Sequence, residues 1–219
     1  MRKVLEVGGL VAGVVLVAFG IAAIALSIQG RSTIHDNLAF QGIVGSPDMT
    51  PAAIKVEAQQ AGLDLAKTPL PTCSVAGKPI DNGTEARCFA QYMQVHTLEA
   101  TGGLTYAQQG RYQALATAPK SETDGHGGTS NAKYAAVDPK TKQPVANGAR
   151  DIWITETALT SALNLSYTAE QVSLFSIVVG IALLLSGIGF LVLALGGALE
   201  SEKLFWAIKP KAKEGVATA

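Results

Sequence analysis

Two stretches of this chain carry no charged side chain: Val7 to Ile28, 22 residues, and Val172 to Leu199, 28 residues. About 20 apolar residues suffice to carry a helix across the hydrocarbon core of a bilayer. Both stretches meet that length, so the first partner this sequence calls for is lipid. All 17 Lys and Arg and all 17 Asp and Glu fall elsewhere in the 219 residues, a division that the net charge of zero conceals. A soluble globular enzyme is disfavoured on this ground. A nucleic-acid binder is disfavoured too, because no basic excess is available to meet a phosphate backbone.

Basic residues near span ends mark the cytoplasmic side. Arg2 and Lys3 precede the first stretch, and Lys203, Lys209, Lys211 and Lys213 follow the second, whereas only Arg31 lies close to a span on the other side. The expected topology is a cell-membrane protein with two spans and both termini cytoplasmic. Its parts are a cytoplasmic N-terminus over 1–6, spans over 7–28 and 172–199, an extracytoplasmic domain over 29–171 and a cytoplasmic tail over 200–219. A cleaved signal peptide is the rival for the first span, with Ala23-Ile24-Ala25 and Ala25-Leu26-Ser27 as cleavage candidates. Its apolar run exceeds the roughly 7 to 15 residues of a signal core, which favours an uncleaved anchor. Beyond the second span, Leu204 to Ile208 resembles an interfacial stretch with its aromatics at headgroup level.

Cys73 and Cys88 are the only cysteines, and both fall in the extracytoplasmic segment. An exported pair with none left over is expected to oxidise to a disulfide. Within the spans, small residues recur at spacings of four and seven: Gly9, Gly13 and Gly20 in the first, Ser176, Gly180 and Gly187 in the second. Such faces let helix backbones approach closely. They predict a packed antiparallel pair, or a seam for a partner. No charge lies deep in either span, which argues against the chain acting alone as a transporter or ion pathway.

The segment between the spans carries helix signals. Thr50-Pro51 starts one that Gly62 ends, and Asp81-Asn82-Gly83 is a turn from which Thr84 caps a helix to about Thr101, stopped by Gly102-Gly103. Thr105 with Gln108 has capping-box spacing and predicts a short helix through Tyr112. Uninterrupted helical spacing from about 151 predicts one long helix that continues through the second span, and a similar outward extension of the first span is expected through Ile34 to Leu38. Residues 117–148, with Gly125-His126-Gly127-Gly128, Pro139 and Pro144, predict a mobile loop. The expected fold class is mainly α: an antiparallel pair of transmembrane helices with a helical, disulfide-pinned extracytoplasmic domain.

Chemistry-bearing residues are sparse. The three histidines are His35, His96 and His126. His96 and Glu99 share a helix face, and His35 can complete a two-histidine, one-carboxylate metal set. A polar helix face or a local hydrogen bond explains the same residues, and no metal or other cofactor is assigned from them. A zinc set of Cys73, Cys88, His96 and Glu99 lacks the short cysteine spacing of structural sites and competes with the disulfide. There is no nucleophile elbow, P-loop or zincin motif. No catalytic residue is assigned. Asn82-Gly83-Thr84 and Asn164-Leu165-Ser166 fit the glycosylation sequon.

Ser46-Pro47-Asp48-Met49-Thr50-Pro51-Ala52-Ala53-Ile54, Pro71-Thr72-Cys73-Ser74, Ala86-Arg87-Cys88-Phe89, Leu98 to Tyr106 and the stretch from Thr155 through the second span carry a resemblance. In these segments the chain resembles a family of uncharacterised actinobacterial two-span membrane proteins, whose members often bear the label aromatic ring-opening dioxygenase, and the similarity would cover most of the chain. That label implies a non-haem iron site of two histidines and a carboxylate. Nothing in the spacing here supports carrying those roles onto this chain, and the label is read as unsupported. The expected function is that of a non-enzymatic accessory or scaffold subunit of a bacterial cell envelope, binding a membrane-protein partner through its ectodomain and its transmembrane seams. The alternatives are a metal-dependent ring-opening dioxygenase using His35, His96 and Glu99, and a self-assembling structural protein associating as a homo-oligomer through its Gly13 and Gly180 faces.

Overall fold

The computed structural model describes residues 2–195, with side chains from Glu6 onward. The expected cytoplasmic tail over 200–219, the end of the second span and the stretch Leu204 to Ile208 lie outside the described residues. So do the four lysines that follow the second span, and the side chains of Arg2 and Lys3.

The described chain is mainly helical. Helix α1 runs Arg2–Phe40, α2 Pro51–Gln60, α3 Gly83–Ala100 and α4 Gly148–Leu195. Two short strands, β1 (Tyr112–Gln113) and β2 (Gly128–Thr129), pair antiparallel between α3 and α4. Helices α1 and α4 are each long and apolar enough to cross a membrane, with mean hydropathies of 2.7 and 2.8 in their most apolar windows. The chain divides into two compact units. One holds the described residues up to Gly30 together with those from Val172, and the other is Arg31–Gln171.

In the first unit Gly13, Gly20, Gly180 and Gly187 sit where backbone meets backbone. A Cβ built on Gly13 would lie 2.9 Å from the Gly187 carbonyl oxygen, and one on Gly20 would lie 2.8 Å from that of Gly180. Gly187 in turn approaches the Gly13 oxygen and Val17, and Gly180 approaches Ile24. Any side chain at these positions would push the helices apart. At Gly9 the contact is looser, 3.4 Å to the Ala194 Cβ, and Ser176 is half-buried. The remaining faces are apolar and exposed, Phe19, Leu26, Phe175 and Leu185 each at more than 60% of full exposure.

The second unit is built around α3. Its core gathers Leu38 of α1, Ile54 and Ala58 of α2, Phe89, Tyr92 and Val95 of α3, and Leu163 of α4. Burying these side chains removes them from water at about 1.5–3 kcal/mol for each large one. Thr50 caps α2 as expected, its Oγ1 accepting the Ala53 amide at 3.2 Å. Helix α3 starts earlier than expected. Asn82 rather than Thr84 is its cap, with Oδ1 accepting the Glu85 amide at 3.0 Å. Asn and Thr both cap well, but Asn82 is favoured here because Gly83 lies against Tyr167 and Ser166 of α4, where no larger first residue fits. The helix ends at Gly102 and Gly103, both at positive φ (67° and 75°).

The disulfide between Cys73 and Cys88 is present, with Cα atoms 6.1 Å apart. It fastens the 70s segment to α3, and the Tyr92 hydroxyl donates to the Cys73 carbonyl at 2.6 Å beside it. The same segment returns alongside residues 43–45: Gly45 N–H donates to Lys78 O, and Ile80 N–H to Ile43 O.

The short helix expected after Thr105 is instead a single turn. Gln108 Oε1 does accept the Thr105 amide at 2.8 Å, as a capping box requires. The chain then leaves the helix because the Gly110 amide is taken by Asp124 and Tyr112 pairs with Thr129. Residues 117–148 contain β2, two single 3₁₀ turns and the isolated bridge Val137↔Pro144, and Ala135 bridges back to Ala114. Three backbone amides converge on Asp124 there, from Gly110, His126 and Gly128 at 2.8–2.9 Å. The Trp153 indole of α4 donates to Leu104 O at 2.9 Å.

Candidate functional site

Among the described residues, polar side chains that lack partners gather around His96. Asp48 comes from the turn before α2, Glu57 from α2, and His96 and Glu99 from α3. The sequence explains each placement. Thr50 and Pro51 start α2 two residues after Asp48, and the buried Ile54 and Ala58 turn that helix so that Glu57 is half-buried at its flank. On α3, the buried Tyr92 and Val95 set the core face, and His96 and Glu99 follow at its edge, three residues apart.

Glu99 Oε2 lies 3.4 Å from His96 Nδ1, and Asp48 Oδ2 lies 3.7 Å from His96 Nε2 on the other side of the ring. One ligand atom each from Asp48, Glu57 and His96 lie within 4.8 Å of one another. Asp48 Oδ1, His96 Nε2 and Glu99 Oε1 are shielded from solvent without a hydrogen-bond partner. Leaving a buried polar atom unsatisfied costs about 1–3 kcal/mol. Burial raises the Glu99 carboxyl above its ordinary value; the neighbouring imidazole opposes that shift, while Glu57 and Asp48 add to it. Burial also raises the Tyr92 hydroxyl, with Asp48 contributing.

His96 and Glu99, singled out from their spacing, are thus brought together. His35 is not part of this group. Its Nδ1 lies 2.8 Å from Asp81 O and 3.9 Å from Asp81 Oδ1. His126 is exposed, its ring against Gly102. Cys73 and Cys88 are bonded to each other and offer no thiolate. Asp48 and Glu57 were missed by sequence reasoning. Asp48 is a single acidic residue before the start of α2 and Glu57 lies in its last turn, and only the docking of α2 on α3 reveals that they share a site.

Elsewhere in the same domain, α1 and α4 frame an apolar cleft of about 400 Å³ lined by Ile34, Leu38, Ile43, Leu159 and Leu163. A polar cavity of about 650 Å³ lies at the Asp124 loop. Neither lining includes a residue of the His96 cluster. Compared with protein families, curated proteins and solved structures, the chain finds no match.

Proposed function

We propose that this chain is a two-span protein of a bacterial cell membrane, with both termini cytoplasmic. Its domain Arg31–Gln171 then stands outside as an accessory or scaffold module for a partner protein. The observation that carries this reading is the pair of long apolar helices, whose outward faces hold side chains such as Phe19 and Phe175 in open exposure. Water would penalise those faces by about 25 cal/mol for each Å² of apolar surface, and lipid removes that penalty. The disulfide supports the outside location, because such bonds persist in oxidising compartments.

The two spans pair antiparallel in this reading. Contacts of Gly9 with Ala194, Gly13 with Gly187 and Gly20 with Gly180 run in opposite sequence order and support it. The glycine faces are then spent within the chain, which leaves the ectodomain as the surface for a partner and weighs against self-assembly through Gly13 and Gly180. Chemical crosslinking in intact membranes followed by mass spectrometry tests the scaffold role. A specific partner crosslinked to residues 31–171 is the expected result, and crosslinks confined to single chains would refute it.

A further inference from the structure

Three carboxylates crowd one imidazole in the domain Arg31–Gln171, and even a fully protonated ring would offset only one of their charges. The geometry at that ring points further. An imidazole with Nδ1–H directed at Glu99, 3.4 Å away, turns its Nε2 lone pair toward Asp48 Oδ2 at 3.7 Å, acceptor against acceptor. Nε2 is shielded from solvent and has no hydrogen-bond partner. A carboxylate behind the ring, a bare nitrogen in front and further carboxylates facing it is the order found in carboxylate–histidine–metal arrays.

We propose that Asp48, Glu57 and His96 Nε2 bind a divalent transition-metal cation of the zinc type, with Glu99 orienting the imidazole from behind. In a tetrahedral zinc site with bonds near 2.0–2.1 Å, donor atoms stand about 3.4 Å apart. The three donor atoms here lie within 4.8 Å of one another, so rotamer adjustments of the half-buried Asp48 and Glu57 close the site without moving a helix. Nitrogen among the donors, and so few of them, disfavour calcium, which takes six to eight oxygens, and magnesium, which keeps most of its waters. Three protein ligands leave a position for water or for a donor from a partner.

The cation would fasten the turn at Asp48 to α2 and α3. That turn is already tied to the disulfide segment, since Ser74 Oγ and the Val75 amide both donate to Met49 O at 3.2 Å. The proposal does not depend on the membrane reading, because all four residues belong to one compact unit.

Full-length protein in detergent, with its disulfide intact and its metals stripped by chelator, is titrated calorimetrically with Zn²⁺, and with Mg²⁺ and Ca²⁺ in parallel. One equivalent of Zn²⁺ binds, and neither alkaline-earth ion competes. His96→Ala and Asp48→Asn abolish stoichiometric binding, Glu99→Gln weakens it by about 10- to 100-fold, and His35→Ala and His126→Ala leave it unchanged. The unmodified protein supplies a check independent of any variant's folding. X-ray absorption at the zinc edge of the loaded protein finds a single imidazole within a shell of nitrogen and oxygen donors and no sulfur. Absence of saturable Zn²⁺ binding, or a loaded site without an imidazole, would overturn the proposal. Unaltered binding in both His96→Ala and Asp48→Asn would overturn it as well.

Discussion

The carboxylate of Glu170 accepts the backbone amide of Gly83 at 2.7 Å. The donor is the first residue of α3, where amides have no partner within the helix and a negative charge complements the helix dipole. The other carboxylate oxygen meets the Arg31 guanidinium of α1 at 3.0 Å. One side chain of α4 therefore joins three helices of the domain.

Glu170→Ala should destabilise the domain by about 1.5–3 kcal/mol, the range for a hydrogen bond to a charged group. Arg31→Ala should cost less than about 1 kcal/mol, because an exposed ion pair contributes little. Gly83→Ala should be as damaging as Glu170→Ala, since its Cβ would lie 2.7 Å from the Tyr167 Cα, which is backbone and cannot yield. Thermal unfolding in detergent, followed by circular dichroism, ranks the three variants.

Reduction of the Cys73–Cys88 bond is expected to lower stability by about 3 kcal/mol, on the loop-entropy treatment of a crosslink of this span. The loss should be matched by the Cys73→Ser, Cys88→Ser double variant. Melting curves with and without reductant check it, and the double variant should no longer respond to reductant.

The long helices and the cysteine pair were legible because each rests on a strong local signal: an unbroken apolar run, or two cysteines with no others to pair with. The cap of α3 was misplaced by two residues because Asn82 and Thr84 are both good caps, and only the close approach of Gly83 to α4 decides between them. The stretch after Thr105 carried a true capping interaction, yet the turn is overruled by Asp124, fourteen residues beyond Gly110. Strands of two residues are too short to show alternation, so nothing local announced β1 and β2. The candidate site was half legible. His96 and Glu99 share a helix and obey its period, whereas Asp48 and Glu57 reach them only through tertiary packing.

Asp124 gives the loop a defined acid response. Burial works to raise its carboxyl, but the amides of Gly110, Gly128 and His126 outweigh that and hold it below the ordinary value of 3.8, with the His126 charge adding a little. A carboxylate lowered on folding stabilises the folded state above the unfolded value and loses that contribution as pH falls through the folded one. The amides of Gly110 and Gly128 should thus keep their hydrogen-exchange protection from neutral pH down to about 4–5, set by the ordinary aspartate range, and lose it in stronger acid. Asp124→Ala should lack the protection at every pH, and exchange read by mass spectrometry after correction for intrinsic rates would reveal it.

Pairing of the two long helices predicts a crosslink. Gly9→Cys with Ala194→Cys should oxidise to a disulfide, because the Gly9 Cβ position lies 3.4 Å from the Ala194 Cβ, close to the span of roughly 3.5–4.5 Å in disulfides. Adding Gly20→Val should reduce the yield by wedging the backbones at Gly180, while Gly189→Val should not, since that position has no neighbour within 4 Å. Gel mobility after cleavage between the helices reports the bond.

Labelling with a membrane-impermeant maleimide in intact bacterial cells expressing the protein tests the topology on which the scaffold reading depends. Single added cysteines at Ser130 and at Lys211 are the probes. The account predicts that Ser130→Cys is labelled in intact cells and that Lys211→Cys is labelled only after permeabilisation, with the protein staying in the membrane pellet after a carbonate wash. The reverse labelling pattern, equal labelling of both sites, or release of the protein by carbonate would contradict it.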